Sequence, residues 1–162
     1  MASPPSPLAT MRSTDLQLFT DASLTGYHGY GIVCRSYLAY RAFPHASSFN
    51  KSMTWREFYP ILVACTIFQD VLAGKKICFI TDHTGVIHIL TSLSSYSPDI
   101  MELVRPFILQ CLKCNIHFTS SFIPSASNSL ADALSRQYFQ VFSQAPNADP
   151  EPTPIPSHLM LV

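Results

Sequence analysis

Gln17-Leu18-Phe19-Thr20-Asp21-Ala22-Ser23 runs an apolar pair straight into an acid and then into small, turn-prone residues, as at the exit of a core strand. Three later segments set a carboxylate in a similarly defined place: Glu57 in Thr54-Trp55-Arg56-Glu57-Phe58, Asp82 in Phe79-Ile80-Thr81-Asp82-His83, and Asp132 in the run N-S-L-A-D-A-L-S-R from Asn128 to Arg136. Asp21 and Asp82 are expected at strand ends, and Glu57 and Asp132 in first helical turns. Such positions let residues far apart in sequence converge on one edge of a mixed sheet.

The 162 residues, 48% of them hydrophobic, suit one compact domain with an ordinary core. Ten Lys and Arg balance ten Asp and Glu, so there is no strong basic field, and any positive surface that meets nucleic acid must be local. Five Cys without regular spacing, and no basic-then-apolar leader, point to a reducing interior, cytoplasmic or nuclear. No apolar run approaches the roughly 20 residues needed to span a bilayer, so no membrane partner is expected.

Residues 1–14, with S-P-P-S-P, form an expected flexible N-terminal segment; 15–142 form the domain; 143–162 form a Pro-rich tail expected to be disordered. Within the domain, the strand around Leu18 is followed by strands over 31–35 and 37–43, joined by a tight turn at Arg35-Ser36. Thr54 and Glu57 have capping-box spacing for a helix that turns Phe58, Ile61, Leu62, Cys65 and Phe68 to the sheet, with Pro60 as a kink. Lys76–Thr81 is a strand, His83–Leu93 a helix burying Val86, Ile87 and Leu90, and Asp99–Cys114 a helix with a stripe of Met101, Val104, Ile108 and Leu112, interrupted by Pro106. Ile116–Ile123 is the last strand, and Asn128 or Ser129 caps a final helix reaching about Phe139. Strand, helix, strand in this order predicts parallel pairing after an antiparallel start, hence an α/β five-stranded mixed sheet, three antiparallel strands and then two parallel, with helices on both faces.

Each acid alone has an ordinary structural explanation. Asp21 suits a turn, Asp82 an N-cap, and Glu57 and Asp132 the capping boxes of Thr54 and Ser129. Gathered at one edge, however, the four would repel one another unless divalent cations neutralised them. Hard oxygen ligands suit Mg²⁺, with Mn²⁺ as substitute, and two ions about 3.5–4 Å apart activate water and stabilise the leaving oxygen of a phosphodiester. Asp21 is the best placed to bridge them, and such hydrolysis needs no organic cofactor.

T-D-A-S at 20–23 followed by glycines, W-R-E at 55–57, T-D at 81–82 and above all F-I-P-S-A-S-N-S-L-A-D-A-L-S-R at 122–136 resemble the ribonuclease H domain of retroelement reverse transcriptases, of the DIRS-type, gypsy-like and pararetroviral kind. The resemblance covers about 15–136. It implies a ribonuclease H-like fold in which Asp21, Glu57, Asp82 and Asp132 form the catalytic, metal-binding tetrad of an endonuclease that cuts the RNA strand of an RNA–DNA hybrid. A reverse transcriptase polymerase domain in cis, within a longer polyprotein, is the implied partner of an otherwise monomeric domain. The chain departs from the fuller pattern in lacking Lys or Arg over 94–99, where cellular members carry a basic protrusion, in lacking His over 124–128, and in placing His83 after Asp82.

Substrate contacts are expected from His28 and Tyr27 near the first turn, from Lys51 and Arg56 around the first helix, and from Asn128 and Arg136 around the last. Tyr30 and Trp55 are alternative stacking groups, and Lys75 and Lys76 alternative phosphate contacts. The Cys111-x-x-Cys114 pair lies in a helix that needs apolar residues and lacks a second ligand pair for zinc. Two rival functions remain: a catalytically weak or silent interaction module of the same fold, favoured by the neutral net charge, and a DNA-directed nuclease of the same superfamily, disfavoured by the N-x-x-A-D-x-L-S-R ending.

Overall fold

Strand β1 (Leu16–Ala22) alternates its side chains between two apolar layers, so one short run of sequence organises both faces of the sheet. Leu16, Leu18 and Ala22 enter the larger core, while Phe19 enters a smaller one on the opposite face. The computed structural model describes residues 14–23, 29–34, 39–44, 51–136 and 156–159. Strand β2 (Gly29–Cys34) pairs antiparallel with β1, from Leu18 opposite Cys34 to Ala22 opposite Tyr30, and β3 (Ala39–Pro44) pairs antiparallel with β2. Strand β4 (Lys76–Thr81) lies parallel to β1, and β5 (His117–Phe122) parallel to β4, giving the order β3-β2-β1-β4-β5. The expected mixed sheet flanked by helices is therefore present. The turn expected at Arg35-Ser36, the segment 1–14 apart from Thr14, and most of 137–162 lie outside the described residues.

Helix α1 (Met53–Ile67) is followed by the short α2 (Gln69–Leu72), then come α3 (Thr84–Ser92), α4 (Pro98–Lys113) and α5 (Ser129–Ser135). Ser52, not Thr54, caps α1: its Oγ accepts from the Trp55 N–H at 3.2 Å. Glu57 thus lies beyond the cap, and the capping-box explanation for it fails. The helix continues through Pro60, and every residue from Trp55 to Cys65 is buried, against the single apolar stripe expected. A helix buried all round needs neighbours on several sides. Here the sheet covers one, and α4 covers another through the edge-on contact of Phe58 with Phe107, ring centroids 5.4 Å apart.

Helix α4 turns inward a stripe rotated from the one expected, with Val104 common to both. Ile100, Leu103, Val104, Phe107 and Cys111 are buried, whereas Met101 and Ile108 are half-buried and Leu112 is 74% exposed. Phe107 decides the rotation, because it packs among Phe58, Phe79 and Phe118 at the centre of the larger core. Burial of one such ring contributes on the order of 2–3 kcal/mol, more than the competing Met or Leu positions gain at the rim. A similar shift puts Ile89 rather than Ile87 among the buried residues of α3. Helices α1, α3 and α4 thus pack on one face, and α5 lies on the other, where Ala131, Ala133 and Leu134 meet Phe19, Val33, Cys78 and Ile80.

Within the Pro-rich stretch expected to be disordered, Ser157–Leu159 forms a single helical turn. Leu159 packs on the larger core, and its carbonyl accepts a 2.9 Å hydrogen bond from the Tyr59 hydroxyl. Among the described residues no helix is long and apolar enough to cross a membrane.

Candidate metal centre

The parallel register brings two acids together before any helix is considered. Phe19 is opposite Ile80, so two residues further along the strands Asp21 and Asp82 stand side by side at the carboxyl edge of β1 and β4. Glu57, one turn into α1, reaches the same edge from the larger-core face. One carboxylate oxygen from each of Asp21, Glu57 and Asp82 lies within 4.8 Å of the others, which is close enough for a shared cation. Asp82 caps nothing: α3 begins after His83 without a side-chain cap.

Asp21 is 5% exposed and Glu57 3% exposed, and both hold protons far above the ordinary carboxylate range. Burial is the largest cause for Asp21, which is pushed up to about 7. The Ser135 hydroxyl opposes the rise, and the charges of Asp82 and Asp132 add to it. Glu57 is pushed up to about 9, again first by burial, then by Asp21 and Asp82, with a hydrogen bond from the Ala22 backbone pulling the other way. The buried Glu57 Oε2 has no hydrogen-bond partner. An orphaned carboxylate oxygen facing two more acids is a poor arrangement for a protein alone and a good one for a hard divalent cation. The donor set therefore fits Mg²⁺ or Mn²⁺.

Asp132 approaches from α5 on the opposite face. It is near enough to Asp21 to raise the proton affinity of that group, but it stands outside the cluster of three. Its half-exposed carboxylate pairs with Arg136, one turn on, at 3.0 Å. The same helix makes a contact that the sequence reading missed: the Ser135 hydroxyl, fully buried, donates to Asp21 Oδ2 at 2.9 Å. Gly31, opposite Asp21 in β2, permits this. A Cβ there would stand 2.1 Å from the Ala131 carbonyl oxygen and 2.9 Å from the Ser135 nitrogen, so only glycine lets α5 come so close. Both residues lay in stretches already singled out, but the signal was a packing distance between strand and helix.

The described residues among the expected substrate contacts have different surroundings. Asn128 is buried and its amide donates to the Thr20 carbonyl at 3.0 Å, clipping the start of α5 to β1 beside Asp21. Lys51 pairs with Asp99 at 3.3 Å and lies 5.6 Å from the centre of the Trp55 ring, while Arg56 is buried. Lys75 and Lys76 are at the amino end of β4, roughly 20 Å from the carboxyl edge for a strand of this length. Tyr30 and Trp55 are core groups, each in ring contact with Tyr59. Tyr27 and His28 lie outside the described residues. Cys111 is joined by Cys65 of α1 rather than by a second ligand pair, and among the described residues the one candidate metal cluster is that of the acids.

No protein-family profile matches the chain, and no curated relative does. Solved structures do. Ribonuclease H1 from the halophilic archaeon Halobacterium salinarum NRC-1 superposes with a TM-score of 0.60 at 16% identity, over 78% of this chain and 98% of that one. LC11-RNase H1 in complex with RNA/DNA hybrid, an enzyme isolated from compost by a metagenomic approach, gives 0.64 at 15% identity, over 74% and 93%. The native protease-reverse transcriptase of Prototype Foamy Virus gives 0.59 at 16% identity, over 85% of this chain but only 21% of the viral one. At such identities the likeness shows the fold, which is ribonuclease H-like, shared by the two RNases H1 and by a part of the viral protease-reverse transcriptase.

Proposed function

We propose that this chain is a metal-dependent ribonuclease H that hydrolyses the RNA strand of RNA–DNA hybrids, and that it serves the reverse transcriptase of a retroelement. The observation that carries the reading is the convergence of Asp21, Glu57 and Asp82, two of them buried, at the carboxyl edge of a ribonuclease H-like sheet. Asp132, in the N-S-L-A-D-A-L-S-R run, completes the tetrad from α5. Two Mg²⁺ ions, when bound, supply neutralisation of the phosphodiester, activation of the attacking water and stabilisation of the leaving oxygen. The chain's own residues hold the oxygen donors in place: Asp21 from the sheet, Glu57 from a helix buried on every side, and Asp82 from the strand end. Burial around Glu57 and Asp21 keeps competing water away from that edge, which strengthens each charge interaction made there.

Retroelement origin rests on the 122–136 run, and a polymerase domain in cis would supply the basic grip that the segment 94–99 lacks. A silent interaction module is the second reading, favoured by the engagement of Asp132 with Arg136. The test offers one sequence as RNA–DNA hybrid, duplex RNA and duplex DNA, each with Mg²⁺ or Mn²⁺, to wild type and Asp82→Asn at low salt. Loss of the hybrid's RNA strand alone is expected, leaving 5′-phosphate and 3′-hydroxyl ends, with Asp82→Asn reduced by about 100-fold or more, because an amide cannot balance the cation's charge. Hybrid binding without cleavage would favour the silent module, and equal cleavage of duplex DNA would favour a DNA-directed nuclease.

A further inference from the structure

Ser135 is a fully buried hydroxyl in a helix whose neighbours are chosen for packing, Ala131, Ala133 and Leu134. Alanine would form that helix better, and a buried hydroxyl is costly unless it is bonded. Its single proton has two acceptors in reach, the Asp132 carbonyl at 2.7 Å and Asp21 Oδ2 at 2.9 Å. The carbonyl already accepts the Arg136 N–H at 3.1 Å, as an ordinary helix carbonyl does. A carboxylate is also the stronger acceptor when charged. The proton therefore belongs to Asp21.

We propose that Ser135 is a positioning residue for the metal centre: by donating to Oδ2 it fixes the rotation of the Asp21 carboxylate, so that Oδ1 and the remaining lone pair of Oδ2 face Glu57 and Asp82. The inference rests on the metal-dependent reading of that edge. Gly31 is the other half of the device. It stands opposite Asp21 in β2 and removes the side chain that would hold α5 away, so the bare strand and the serine work as a pair. Without the hydroxyl, the orientation of the Asp21 carboxylate would be left to its neighbouring acids, a side-chain hydrogen bond with Asp132 and the repulsion of Asp82 and Asp132. Hydrogen bonds made to a ligating group from behind tune affinity by about 10–100-fold in metal sites generally.

Ser135→Ala tests this, since it removes one oxygen from a packed position and adds nothing. Mn²⁺ binding is measured by calorimetry on protein mixed with a hybrid whose RNA strand carries 2′-O-methyl groups and resists cleavage. The variant is expected to bind Mn²⁺ about tenfold more weakly, and on ordinary hybrid to lose kcat at unchanged KM. In metal-free protein the bond is read separately from urea midpoints: Ser135→Ala lowers the midpoint of wild type but not that of Asp21→Ala. Mn²⁺ affinity within twofold of wild type, with kcat unchanged, overturns the positioning role. Equal midpoint shifts in both backgrounds overturn the hydrogen bond itself. If wild type takes up no Mn²⁺ on the hybrid, the metal-dependent reading falls and the positioning role with it, an outcome distinct from a Ser135→Ala variant that binds as wild type does.

Discussion

Asp21 holds its proton up to about 7 and Glu57 up to about 9 in the metal-free protein, because burial strips the water that would stabilise their charges and neighbouring acids add repulsion. In the unfolded chain the same groups titrate at ordinary values of 3.8 and 4.5. Between those values and the folded ones the folded state binds more protons, so stability falls as pH rises and levels off only above the Glu57 value. In EDTA the thermal midpoint is expected to drop by roughly 5 °C or more from pH 5 to pH 9, and Glu57→Gln should flatten that slope. Mg²⁺ should raise the midpoint more at pH 9 than at pH 5, where protons compete for the same oxygens. Scanning calorimetry at the two pH values reads both effects, and a flat EDTA profile would mean that neither acid is buried as described. The candidate acids stood out in the sequence because Asp21 and Asp82 end apolar runs and Glu57 stands at capping-box spacing from Thr54. What they do was not legible there. Thr54 and Glu57 have capping-box spacing, and only the start of α1 at Met53, one residue after Ser52, shows that Glu57 has no backbone to cap.

The meeting of α5 with β2 is decided by one missing side chain. Gly31→Ala would drive a methyl group to 2.1 Å from a backbone oxygen, with no flexible atom to give way, and is expected to cost about 2 kcal/mol or more and to lift α5 with Ser135 and Asp132 off the metal edge. Gly74→Ala is the control. That residue has φ of +72° but open space around a Cβ, so its cost is conformational, about 1 kcal/mol, and it lies before β4 at the opposite edge of the sheet. Urea unfolding and hybrid cleavage together separate the two: both variants lose stability, and only Gly31→Ala loses most of its activity. A short apolar run bounded by turn residues was legible in the sequence, as β4 was: Lys76–Thr81 was expected and is found, buried on both faces from Ile77 to Thr81. The extent of helix α4 was legible too, but its inward face was not, because Ile100, Met101, Leu103, Val104, Phe107, Ile108, Leu109 and Leu112 offer two overlapping stripes. The choice between them falls to Phe107 and its three aromatic neighbours, which come from three other elements.

Across the whole molecule, helix α1 and the C-terminal turn are joined by a bond that no local pattern announces. Tyr59 and Leu159 stand 100 residues apart, and the proline spacing of 143–162 argues only that no helix or ladder continues there. Tyr59 is 1% exposed and lies between Tyr30, ring centroids 5.1 Å apart, and Trp55, stacked at 4.9 Å with an interplanar angle of 13°. Its hydroxyl is the polar tip of a core ring and needs an acceptor, which the Leu159 carbonyl provides, while the Leu159 side chain covers apolar core beside it. Deleting 151–162 removes both, one hydrogen bond of about 1 kcal/mol and some apolar cover, for an expected loss of about 1–2 kcal/mol. Trp55 is the single tryptophan and stacks on Tyr59, so its emission reports the change without a label. The truncated protein is expected to unfold at lower urea and to show red-shifted emission as water reaches the Tyr59 hydroxyl. A peptide of residues 151–162 added in excess should reverse the shift in part, whereas Tyr59→Phe in the full chain should reproduce the stability loss without responding to the peptide's carbonyl. If truncation leaves both midpoint and emission unchanged, the C-terminal turn contributes nothing to the fold.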